Sequence, residues 1–125
     1  RVGPGPILDV VKVDTEGHDP AVIRGAEGLL AQQRIRVLVF EYHMTGLWEK
    51  GAEGATTLEI VTRDLDTTHG FDCYLVGPES VAKLTSGCFV PELEINTWSN
   101  VFCAHRVLAP AVVEAFDSGA ALAFR

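Results

Sequence analysis

Apolar positions in this chain fall into short segments separated by turn residues. Ile7 to Val13 forms a first strand candidate. Arg36 to Phe40 forms a second, and its Val37-Leu38-Val39-Phe40 run shows no alternation. An unbroken apolar run of this length fits a strand covered on both faces. Cys73 to Val76 and Asn100 to Ala104 predict two more strands. Between the first two, Val22, Ile23, Ala26, Leu29 and Leu30 recur at helical spacing and form one apolar face. Asp19-Pro20 opens that helix, with Asp as N-cap and Pro in the first turn. Gly25 and Gly28 either weaken it, by roughly 1 kcal/mol each relative to Ala, or let it lie close on the sheet. Thr56-Thr57-Leu58-Glu59 has the form of a capping box. It predicts a second helix with Leu58, Val61 and Leu65 inward, stopped at His69-Gly70. Residues 44–55 and 79–97 read as irregular, and Pro110 to Phe116 as a short terminal helix.

The order β-α-β-α-β-β predicts an α/β sheet. Its first three strands should be parallel, through right-handed crossovers, and its last two should form an antiparallel hairpin. At 125 residues the chain makes one domain at most. Hydrophobic residues make up 47% of it, enough for a core. No apolar run approaches the ~20 residues of a membrane span. The net charge of −7 and the scattered basic residues argue against nucleic acid, which needs a basic face. Three cysteines without a C-x-x-C spacing argue against zinc ribbons and thioredoxin-type motifs. The odd count predicts free thiols in a reducing compartment, with Cys73 and Cys103 as small buried hydrophobes. The cytoplasm is the default location.

Chemistry concentrates where strands end. The first strand runs into Asp14-Thr15-Glu16-Gly17-His18, and the second into Glu41-Tyr42-His43. Open α/β sheets bind ligands at such strand ends, so the two clusters are expected to share one crevice. Asp14, Glu16, Glu41 and His43 are the candidate catalytic residues, and Gly17 is expected to serve a turn with positive φ. Trp48 and Trp98 read as core or rim packing, and His69 as a favourable partner for a helix end. Asp14, Glu16, His18, Glu41 and His43 also admit an alternative, a hard divalent cation in a metal-dependent hydrolase. A non-catalytic α/β interaction module is a further alternative.

Val11-Lys12-Val13-Asp14-Thr15-Glu16-Gly17-His18, followed by Ala21-Val22-Ile23-Arg24-Gly25-Ala26, resembles the FkbM-type methyltransferases. That family shows a strand, then Lys-hydrophobe-Asp-x-Glu-Gly, then a helix carrying Leu-x-Gly-Ala. Val37-Leu38-Val39-Phe40-Glu41 is similar to its next strand, and Trp98-Ser99-Asn100-Val101-Phe102 to its closing strand. The resemblance spans about residues 8–105, with 106–125 left as a tail or short helix. It implies the C-terminal part of a Rossmann-like class I methyltransferase sheet, mostly parallel, with a C-terminal antiparallel hairpin and without the N-terminal strands. It also implies S-adenosylmethionine as cofactor, with Asp14 near the methyl group, and a small-molecule or sugar hydroxyl as acceptor. Residues 44–55 and 79–97 would shape the acceptor pocket. The family's glycine-rich cofactor loop is not found, and Gly3-Pro4-Gly5-Pro6 reads as an extended linker. The chain alone is therefore expected to be inactive, with its first strand left as an exposed edge.

Overall fold

The computed structural model describes residues 5–95 and 97–119; Gly3-Pro4 of the expected linker lies outside them. Five strands form one sheet: β1 (Leu8–Lys12), β2 (Ile35–Tyr42), β3 (Phe71–Val76), β4 (Val81–Lys83) and β5 (Ser99–His105). Four helices accompany it: α1 (Asp19–Gly25), α2 (Glu27–Ala31), α3 (Leu58–Thr67) and α4 (Pro110–Asp117).

The strand order is β1-β2-β5-β3-β4. Only β1 and β2 pair in parallel; β2–β5, β5–β3 and β3–β4 are all antiparallel. This overturns the expected mostly parallel, Rossmann-like sheet. The expectation took β2 and β3 as neighbours because a helix links them. In the fold β5 slots between them, running opposite to both, so one crossover yields no parallel pair. Nor do β3 and β5 form a simple hairpin, since β4 turns back from β3 within the stretch read as irregular.

The alternating pleat explains the core. Leu38 and Phe40 of β2, Val101 and Cys103 of β5, and Cys73 and Leu75 of β3 stand opposite one another in register. They join Leu58 and Leu65 of α3, Ile23 of α1, Leu30 of α2 and Trp48 in one buried cluster. On the opposite face Phe116 of α4 stacks on Tyr74 at 4.6 Å and tilts against Phe102 at 5.8 Å. β1 has a single neighbour and lies at the sheet's edge, with Val10 62% exposed.

Cys73 and Cys103 face each other across the β3–β5 pair and are joined by a disulfide; Cys88 is free and exposed. The expectation of three free thiols fails because register, which spacing does not reveal, sets two of them opposite. The cysteines then carry no argument for a reducing compartment. Among the described residues no helix is long and apolar enough to cross a membrane.

The predicted first helix is two. Its ladder breaks at Ala26, between α1 and α2. A Cβ on Gly25 or Gly28 would meet nothing within 4 Å, so neither glycine serves close packing. The predicted box at α3 is also rebuilt. Thr57 Oγ1 accepts from Ile60 N at 3.2 Å, while Glu59 turns outward to Arg63. The carboxylate that closes the cap is Glu94, which accepts from Leu58 N at 2.9 Å and Glu59 N at 3.1 Å.

Candidate active site

The parallel register of β1 and β2 builds the site. Lys12 lies opposite Val39, and Val13 N donates to Val39 O at 2.8 Å. Two residues further along each chain come Asp14 and Glu41. The register sets the two carboxyls side by side, close enough for each to shift the other's titration. The two strand ends expected to share a site are thus adjacent and in matching register.

The pair is asymmetric. The Glu41 hydrogen bond and the Glu41 negative charge both raise the Asp14 carboxyl above the ordinary carboxylate range. Glu41 is held below that range, first by the indole N–H of Trp98, which donates to its Oε2, against the opposing effect of burial. His43 Nε2 lies 3.2 Å from the same oxygen. Glu41 therefore gives up its proton at lower pH than Asp14 does.

Other predicted residues stay outside the pair. Glu16 and His18 are exposed, and no hydrogen bond or ion pair links either to Asp14 or Glu41 among the described residues. Glu16 instead adopts φ 52° and Gly17 φ 103°, two left-handed residues that reverse the chain from β1 toward α1. Gly17 sits against Gly46 (φ 63°): Leu47 N donates to Gly17 O at 2.8 Å, and a Cβ on Gly46 would stand 2.6 Å from that oxygen. Only glycine supplies both the conformation and the clearance.

Two supporting residues escaped the sequence reading. Asp19, taken for an N-cap, turns inward and is wholly buried. Its Oδ1 accepts from Thr15 N at 3.0 Å and from the Thr15 hydroxyl, and its Oδ2 accepts from Glu41 N at 2.8 Å. One carboxylate therefore ties the turn after β1 to the strand carrying Glu41. Trp98, taken for packing, is 59% exposed and contributes its N–H to Glu41. Trp48 does pack in the core, and its Nε1 donates to Glu41 O at 3.1 Å.

The cluster suits proton transfer better than metal binding. The donor atoms of Asp14, Glu16, His18, Glu41 and His43 do not gather into a three-ligand group. Among the described residues one group does: Glu27, Asp64 and His69. A cavity of about 510 Å³ lies between Trp48, Lys50 and Ala55 on one side and Glu94 on the other, with Tyr42 and Ile60 completing the wall. Tyr42 and Glu41 are consecutive in β2, so their side chains leave opposite faces of the sheet.

Residues 5–73, more than half of the chain, match the methyltransferase FkbM domain, and the chain belongs to that family. Neither the curated proteins nor the solved structures give a match.

Proposed function

We propose that the chain is part of an S-adenosylmethionine-dependent methyltransferase that methylates a hydroxyl of a small molecule or sugar. The observation that carries the reading is the Asp14–Glu41 pair set side by side at the ends of β1 and β2 in a member of the FkbM family. S-adenosylmethionine would supply an electrophilic methyl group on a positively charged sulfur. The donor set fits that charged end, because Glu41 is ionised and only partly screened by His43. It does not extend to the nucleoside: among the described residues no strand runs directly into a glycine-rich loop.

The chain's own residues would then divide the work. Glu41, ionised and fixed by Trp98 and His43, takes the proton that an acceptor hydroxyl must lose as its oxygen bonds to carbon. Asp14, whose carboxyl is raised by the neighbouring Glu41, lies beside the base and orients it. His43 offers the proton an exit, since its Nε2 already touches Glu41 Oε2 at 3.2 Å. Holding the hydroxyl against this base supplies positioning, an effect worth up to ~7–11 kcal/mol in well-oriented systems.

Titration of the chain with S-adenosylmethionine and with S-adenosylhomocysteine, which lacks the positive charge, tests the assignment. The expected result is binding weaker than micromolar with a preference for the charged form. Glu41→Gln should abolish that preference, and Asp14→Asn, which leaves Glu41 ionised, should keep it. Equal binding of the two ligands, or no binding of either, would contradict the role given to the pair.

A further inference from the structure

We infer that Glu27, Asp64 and His69 form a site for a divalent transition-metal ion of the zinc type, separate from the Asp14–Glu41 pair. His69 follows α3, and its ring is turned inward with 2% of the side chain exposed. Its Nε2 lies 2.9 Å from Glu27 Oε2, on the first residue of α2, and 3.9 Å from Asp64 Oδ2, on the last turn but one of α3. All three donor atoms lie within 4.8 Å of one another. Ligands held at zinc's usual distances in a tetrahedron stand about 3.3 Å apart, so small side-chain rotations, with no backbone movement, bring the three onto one ion.

The surroundings suit an ion with one open position. The inner ligand is fixed. Gly70 turns the chain back at φ 82° directly after His69, and a Cβ there would stand 3.2 Å from His105 Nε2. His105 accepts from the backbone N–H groups of Val107 and Leu108 through Nδ1, so the hydrogen of a neutral ring sits on Nε2, the atom facing this turn. The outer ligands are free to adjust, with Glu27 57% and Asp64 59% exposed. Both line a cavity of about 290 Å³ between α1 and α3, which leaves room for water on a fourth coordination position. Arg24 also lines that cavity and is the one cation facing it.

Ligand type selects the ion. An imidazole nitrogen with two carboxylates favours zinc and its neighbours over magnesium or calcium. Calcium also needs six to eight oxygens, more than these groups provide. An ion here would tie α2 to α3 and the turn that follows it.

Thermal unfolding of the chain with zinc chloride alone, then with magnesium chloride alone, tests the site. Zinc at tens of micromolar should raise the midpoint by several degrees, and magnesium should not. The zinc shift should disappear in Glu27→Gln/Asp64→Asn, whose exposed changes leave the core untouched, and persist in Asp14→Asn/His43→Gln. Cobalt loaded in place of zinc should show the intense visible bands of a four-coordinate site in the wild type and not in the double variant. Absence of a zinc shift in the wild type, an equal shift in Glu27→Gln/Asp64→Asn, or a magnesium shift as large as that of zinc would overturn the assignment.

Discussion

Replacing Asp19 should damage the fold and the site together. Its carboxylate is wholly buried and accepts three hydrogen bonds, from Thr15 N, the Thr15 hydroxyl and Glu41 N. In Asp19→Ala the hydroxyl of half-buried Thr15 can turn toward water. The two backbone N–H groups have no such route, and each buried donor left without a partner costs about 1–3 kcal/mol. Removing a buried charge returns part of this through relieved desolvation, so the net loss should be about 3 kcal/mol. Asp19→Asn keeps the shape and one acceptor but sets an NH2 against a backbone donor, and should lose about 2 kcal/mol. Against a total stability on the order of 5–15 kcal/mol, both are large. Urea unfolding followed by tryptophan fluorescence reads them, since Trp48 is buried and Trp98 is exposed. Losses under about 0.5 kcal/mol in both variants would refute the idea that Asp19 holds the β1 turn to β2.

Three further outcomes follow from local geometry. Gly46→Ala should cost at least about 2 kcal/mol, because a left-handed non-glycine residue alone costs about 1–2 and the new Cβ meets Gly17 O at 2.6 Å; an unchanged urea midpoint would contradict this. Gly28→Ala, inside α2 and facing open space, should instead gain about 0.5–1 kcal/mol, read as a higher midpoint. His105 is held below its ordinary value of 6.5 by burial and by Arg106. The unfolded chain therefore binds its proton first, and stability should fall as pH drops from 6.5 toward the lower folded value. That slope should flatten in His105→Gln, and an identical pH profile would count against it.

The sequence made some of this site visible and hid the rest for physical reasons. Asp14 and Glu41 stand out because each follows an apolar strand, and a strand's end is readable from its run of hydrophobes. Their meeting needed only that β1 and β2 be neighbours, which a short helical crossover favours. The order β2-β5-β3 was not legible, since nothing in the apolar runs says which strand slots between which. The same gap hid the Cys73–Cys103 pairing. Asp19 carries a correct local signal, an acid before Pro20, but its side chain is drawn 22 residues away to Glu41 N. Trp98 and Glu94 act from a stretch with no regular pattern, so their partners could be found only in three dimensions. His69 was read as a helix-end charge, while its ring turns inward to Glu27.

Asp14 and Glu41 act as one pair in which each shifts the other's titration, Asp14 upward and Glu41 downward. Carboxyl carbon NMR titration of the labelled chain measures this directly. Asp14 should titrate above the ordinary range and Glu41 below it. Glu41→Gln should bring Asp14 back down toward its ordinary value, and Trp98→Phe should raise Glu41. Independent titration of both groups at ordinary values, unchanged by either substitution, would contradict the account.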